Sequence, residues 1–326
     1  MPPDAPPPAS PLPDRPEPPR FPVNLAAPDL APWQDGNAGI PGVHSFAAEE
    51  PGPHLLVMAL VHGNEIAGAI LLDRLLRTRP VPLRGRITLA FANLDAYARF
   101  TPEDPTASRF IDEDMNRVWD EATLAGPRKS SELKRARQLR PVIDQADVVL
   151  DLHSMLWPSD ALILAGRSPR AAQLAAQIGV PPVVVADDGH AAGRRIIDYA
   201  RFADADGIRA ALLIEAGQHW EEATVATMEA SFRRVARKLS LLPPARGEAA
   251  LPRGRIAHVT RTVTATTCRF TFLREFRGGE VIAERNTLIA LDGEAEIRTP
   301  HDNCLLVMPS PHTLRGHTAV RLAKFD

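Results

Sequence analysis

Six short apolar runs recur between Phe21 and Leu242: HLLVMALV (54–61), RITLAFAN (86–93), VVLDLHS (148–154), ALILAG (161–166), PVVVAD (182–187) and ALLIEAG (211–217). Runs this short suit strands buried on both faces, as in a mostly parallel sheet. Between them lie stretches of helical character: NEIAGAILLDRLLRT (64–78), SSELKRARQLRPVIDQ (130–145), PRAAQLAAQIG (169–179) and EEATVATMEASFRRVARKL (221–239). In the first, Ile66, Ala69, Ile70, Leu72 and Leu76 make one helical stripe. Alternation of this kind predicts an α/β domain over residues 21–242, with helices covering both faces of the sheet.

The texture changes at PPARGEAALPRG (243–254), which reads as a linker. Beyond it the helical period fades, VTATTCRFTF (263–272) alternates, and Gly278-Gly279 and Asp292-Gly293 are turn signals. Residues 255–326 are therefore expected to form a small all-β domain. At the other end, the first twenty residues hold ten prolines and almost nothing to bury. Proline fixes φ and removes an amide donor, so residues 1–20 are expected to be an extended, disordered tail. A passive tail is favoured there over a ligand for a proline-recognising partner. No internal repeat is evident.

Composition narrows the function classes. With 44% apolar residues in 326, a sizeable core can form. Lysine and arginine (38) nearly balance aspartate and glutamate (40), for a formal charge of -2, which is no footprint for nucleic acid. No apolar run reaches the length of a membrane span. The N-terminus lacks the basic-then-apolar signature of a secretory signal, so cytoplasm is the expected compartment. Cys268 and Cys304 are too few for a disulfide framework and fit a reducing environment. A homo-oligomer is left open.

Ligands in open α/β sheets gather at the carboxyl ends of strands. His62 and Glu65 follow the first run, His153 ends the third, and Glu215 ends the last. Two imidazoles and one carboxylate are three ligands for a catalytic zinc and leave one position open. His62-x-x-Glu65 alone is a weak signal; with Asp151-Leu152-His153 and Glu215-Ala216-Gly217 it becomes a strong one. Asp151 shares a strand face with His153 and is placed to hold the outer nitrogen of a metal-binding histidine. Ser154 lacks the turn of a serine-hydrolase nucleophile, and no glycine-rich phosphate cradle is present.

Taken together, VHGNE (61–65), the strand end FAN with Asn93, SRFIDEDMNRVW (108–119), DLHS (151–154) and IEAG (214–217) resemble the succinylglutamate desuccinylase/aspartoacylase family, which is related in fold to the zinc carboxypeptidases. The resemblance implies one Zn2+ per chain held by His62, Glu65 and His153. It implies that Glu215 is a general base that hands its proton to the leaving amine, and that Arg109 polarises the scissile carbonyl. It further implies that Asn116 and Arg117 grip a substrate carboxylate. The implied reaction is hydrolysis of the amide bond of an N-acyl amino acid or similar small carboxylate-bearing molecule. Two family features have no match: an arginine shortly before the catalytic glutamate, where only Arg201 and Arg209 lie near, and a tyrosine from the second domain, since Tyr97 and Tyr199 both lie in the first. Residues 277–308 are similar to the family's β-rich second domain, which narrows the site. The alternatives are a zinc carboxypeptidase or amidase acting on short peptides, and a metal-binding module without catalysis. Retention of Glu215 and Arg109 argues against the latter. Asp112 and Asp114 are expected to orient the arginines, and Glu113 to be solvated. His190 and His219 are read as surface or capping residues rather than substrate contacts.

Overall fold

The computed structural model describes residues 20–245 and 251–326; the proline-rich stretch, Arg20 apart, and the middle of the 243–254 segment lie outside them. The first part runs β1 (Val43–Ala47), β2 (His54–Ala59), α1 (Ile66–Thr78), β3 (Arg86–Phe91), α2 (Leu94–Tyr97), α3 (Glu121–Ala125), α4 (Ser131–Gln145) and β4 (Val148–Met155). It continues through β5 (Leu162–Gly166), α5 (Pro169–Ile178), β6 (Val183–Ala186), α6 (Ala200–Ala203), β7 (Ala210–Gln218) and α7 (Glu222–Lys238). The C-terminal part is all strand: β8 (Arg255–Thr264), β9 (Phe270–Phe272), β10 (Val281–Ile282), β11 (Leu288–Asp292), β12 (Ala295–Arg298), β13 (Cys304–Val307) and β14 (Thr318–Phe325). Each of the six apolar runs forms a strand, and each of the four long helical stretches a helix.

Strand residues alternate between the two faces of the sheet. On β2, Leu55, Val57 and Ala59 pack into one core with residues of α1, α5 and α7, while Leu56 and Met58 pack into another with residues of α4. Both faces are covered, as expected for runs without polar alternation. The strand order is β1-β3-β2-β4-β7-β5-β6-β8-β14-β13-β10, with a separate sheet β12-β11-β9. β3, β2, β4 and β7 run parallel, so β2, β4 and β7 end at the same edge. β5 is antiparallel to β7. Residues 156–161 between β4 and β5 explain this, because returning to the far end of the sheet takes a crossover of a dozen residues or more.

The C-terminal strands extend the main sheet. β8 pairs in parallel with β6, and β14, β13 and β10 follow in antiparallel order. They still enclose a core of their own around Val263, Phe270, Ile289, Leu306 and Leu322. Cys268 is exposed, Cys304 is buried, and both are free. No helix among the described residues is long and apolar enough to cross a membrane.

Candidate functional site

The site assembles where β2, β4 and β7 end. In the ladder between β4 and β7, His153 stands opposite Glu215. The chain leaves β2 through His62 and turns into α1 at Glu65, with Glu65 N–H bonded to the His62 carbonyl at 3.2 Å. Gly63 makes this turn possible: a Cβ there would lie 2.5 Å from backbone atoms of Ala96, Tyr97 and Ser108. Gly63 N–H bonds to the Arg109 carbonyl at 3.1 Å, and Trp220 Nε1 donates to the Asn64 carbonyl at 3.1 Å. Glu65 is the N-cap residue of α1, yet its side chain does not cap the helix. It turns instead to the two histidines.

His62, Glu65 and His153 are buried and offer ligand atoms all within 4.8 Å of one another. His62 Nδ1 lies 2.7 Å from Glu65 Oε1, and His153 Nδ1 lies 3.0 Å from Glu65 Oε2. The outer nitrogens face carboxylates: His62 Nε2 is 2.9 Å from Asp114 Oδ1, and His153 Nε2 is 3.1 Å from Asp151 Oδ2. Both imidazoles thus turn Nδ1 inward and rest Nε2 against an acid, the arrangement that orients metal-binding histidines and raises their basicity. Burial opposes charge on Glu65, but His153 and His62 overcome it and hold the carboxyl well below the usual range. Ser154 N–H steadies Glu65 Oε2 at 3.1 Å. Nitrogen and carboxylate donors converging from three sides are a set that can hold a divalent ion.

Glu215 is 7% exposed, and its Oε2 has no hydrogen-bond partner among the described residues. Burial pushes its carboxyl up to about 8. A buried carboxyl poised near neutrality is suited to passing a proton in either direction. Arg109, partly exposed, donates to Asp114 Oδ2 at 3.1 Å and lies 3.7 Å from Glu65 Oε1, beside the cluster.

The RFIDEDMNR block is organised from beneath by Glu132, which is fully buried. Its carboxylate accepts from the backbone N–H of Ile111 (2.6 Å), Asp112 (3.0 Å) and Glu113 (3.2 Å), and from Asn93 Nδ2 (3.0 Å). Asp114 does orient the arginines, touching His62, Arg109 and Arg117 at once. Asp112 does not: it accepts from Ser131 N–H at the start of α4. Glu113 pairs with Ser130 and Arg128 rather than standing free in solvent. Asn116 lines the cavity, but its Oδ1 already accepts from Ile196 N–H at 2.9 Å, leaving its amide donor 3.4 Å from His153 Nε2. Arg117 donates to its neighbour's carbonyl, Asn116 O, at 2.7 Å and lies 3.7 Å from Asp114.

All seven sequence-predicted site residues line one cavity of about 640 Å³. The C-terminal part contributes Met308, Pro309, Ser310, His317, Thr318 and Arg321 to its wall. His190 and His219 line it too; the surface reading is corrected for His219, which is buried, while His190 is half-buried and accepts from Ala192 N–H within its loop. His219 is buried, bonded to Ser154 Oγ at 2.7 Å, and burial holds it down at about 3. His219 follows the end of β7, past an irregularity in its pairing with β4, so no strand spacing in the sequence marks it. His190 is likewise held down to about 4, by burial and by the charges of Arg117, Arg321 and Arg195.

Residues 51–241 match the family model described as the succinylglutamate desuccinylase/aspartoacylase catalytic domain. A curated protein of Parasynechococcus marenigrum (strain WH8102), described as "Probable aspartoacylase", is 33% identical over 131 residues, 38% of this chain and 41% of that protein. The chain thus spans about two fifths of the length of that relative. Among solved structures, succinylglutamate desuccinylase from Vibrio cholerae superposes with a TM-score of 0.66 at 18% identity, covering 87% of this chain and 86% of that one. A succinylglutamate desuccinylase/aspartoacylase from Rhodobacter sphaeroides gives a TM-score of 0.63 at 19% identity, covering 85% and 87%. At those identities the structures speak for the fold, and the family model speaks for descent. The chain belongs to the succinylglutamate desuccinylase/aspartoacylase family.

Proposed function

We propose that this protein is a zinc-dependent hydrolase that cleaves the amide bond of an N-acyl amino acid or a similar small carboxylate-bearing substrate. The observation that carries the reading is the buried His62–Glu65–His153 cluster with Glu215 directly across the ladder from His153. The donor set fits zinc, since each inward nitrogen and the shared carboxylate belong to its usual ligands and both outer nitrogens are held by acids. Zinc in that position supplies Lewis acidity, which makes water nucleophilic at neutral pH and polarises a carbonyl.

The remaining work belongs to the chain. Glu215, as carboxylate, takes a proton from the attacking water; as carboxylic acid, it returns that proton to the amide nitrogen as the C–N bond breaks. Arg109, fixed by Asp114, presents a permanently charged fork to the carbonyl oxygen as it gains negative charge. Arg117 holds a substrate carboxylate. The walls contributed by residues 308–321 narrow the opening, which favours small molecules over polypeptides.

Purified protein supplied with zinc is expected to release amine from members of an N-acyl amino acid panel. Glu215→Gln is expected to lower kcat by about 10²- to 10⁴-fold while zinc content, read by elemental analysis, is unchanged. A fully metallated protein silent across the panel, or active only on peptides with free C-termini run beside it, contradicts the proposal.

A further inference from the structure

One charged side chain in the cavity is left without a role by the chemistry above. Arg321 lies on β14, its side chain 9% exposed, in the otherwise apolar run Ala319-Val320-Arg321-Leu322-Ala323. Its Nε is buried and has no hydrogen-bond partner among the described residues. Its nearest acid is Asp187, 3.8 Å away, and that carboxylate is already committed to Arg195. Arg195 makes four hydrogen bonds, two to Asp187 and two to Asp198. A guanidinium has five N–H donors, and burying it unsatisfied is costly unless something else supplies acceptors.

The surroundings say what that something is. Arg321 lines the same cavity as Arg117, and Arg117 feels the positive charge of both Arg195 and Arg321. Like-charged guanidiniums facing one space are satisfied by an anion between them. Asp114 pairs with Arg109 and Arg117, and Asp187 and Asp198 are both bonded to Arg195, so each of those three guanidiniums has a carboxylate within 3.7 Å while Arg321 has none. Phe110, Met155, Leu156, Trp157, Met308 and Pro309 give the same cavity apolar lining.

Resting on the deacylase reading, we infer that Arg321 joins Arg117 in gripping the single carboxylate of a monoanionic substrate whose acyl or amino-acid side chain is apolar. Arg321 then supplies, from the C-terminal strands, the second anion-binding fork that the catalytic part lacks. The apolar side chains suit a hydrophobic group, and a second carboxylate on the substrate meets only arginines that already have carboxylate partners.

The test is equilibrium binding by calorimetry to the full chain, which needs no turnover. The probes are N-acetylphenylalanine, its carboxamide and N-acetylaspartate. The unsubstituted protein is expected to bind N-acetylphenylalanine at least tenfold more tightly than the carboxamide, and no less tightly than N-acetylaspartate. Arg321→Gln is expected to erase the preference for acid over carboxamide, and Arg321→Lys to keep part of it. If Arg321→Gln does not fold, as judged by its melting curve, the reduced preference in Arg321→Lys decides. Preference unchanged in a folded Arg321 variant, tighter binding of N-acetylaspartate, or no binding of any probe overturns the inference. Binding through Arg321 with no hydrolysis of any acyl amino acid sinks the deacylase reading alone. Hydrolysis untouched by Arg321→Gln sinks the Arg321 assignment alone.

Discussion

Asp114 is one carboxylate with three side-chain partners, and its neighbour Asp112, two positions earlier, has none of them. Asp114 Oδ1 meets His62 Nε2 at 2.9 Å, while Oδ2 meets Arg109 and Arg117. Burial opposes its charge, but His62, Arg109 and Arg117 hold its carboxyl far below the usual range. Asp114→Asn keeps the shape and removes the charge, so it is expected to cost about 10- to 100-fold in zinc affinity or in kcat/KM, measured by metal competition and steady-state kinetics. Asp112→Ala, which removes only the acceptor for Ser131 N–H, is expected to lower the melting temperature and leave kcat/KM within about twofold, as surface changes away from a site do. Equal kinetic losses in the two variants contradict this division. No spacing rule separates the pair, because residues two apart in a non-regular segment have no fixed relative direction. Glu132 shows the same limit: its burial beneath three backbone amides gives a charged residue in a helix a structural task that its own sequence context does not mark.

Among the elements, the loop between β6 and α6 decides whether Arg117 and the loop carrying His190 can meet. Gly193 has φ +145°, and a Cβ there would lie 2.2 Å from the Arg117 carbonyl. Gly193→Ala is therefore expected to push that loop away from Arg117 and raise KM more than it lowers kcat; a change confined to kcat contradicts this. In the C-terminal strands, Asp292 at the end of β11 accepts from the hydroxyls and amides of Thr266 and Thr267. Those bonds, the side-chain ones first, bring its carboxyl down to about 2. A carboxyl lowered in the folded state stabilises the fold fully above its unfolded pKa of about 3.9 and loses that contribution as pH falls through the folded value. The melting-temperature gap between the unsubstituted protein and Asp292→Asn is expected to be widest near pH 6 and to close as pH approaches 2. A gap independent of pH contradicts the assignment.

At the scale of the whole molecule, the proposed metal site links elements that are far apart in the chain. His62 and Glu65 sit on the exit from β2 and His153 on β4, neighbours in one sheet. An ion that binds only the folded arrangement stabilises it by about 2.7 kcal/mol when free metal stands 100-fold above Kd. Chelation is therefore expected to lower the melting temperature by on the order of 5 °C, reversed by added zinc and absent in His153→Ala. A chelator-insensitive melting curve in protein shown to contain zinc contradicts this coupling. The strands, the long helices and the placing of His62, Glu65, His153 and Glu215 at one sheet edge were legible in the sequence because each depends on short-range order: a buried strand is written as an apolar run, and residues at strand ends share one edge whenever the strands are parallel. Tertiary structure alone decided that β5 pairs with β7 rather than with β4, that β8 docks on β6 so the C-terminal strands join the main sheet, and that Arg321 enters the cavity from β14. Those outcomes turn on which distant segments pack together, and the free energy that selects among packings belongs to the assembled surfaces rather than to any window of residues.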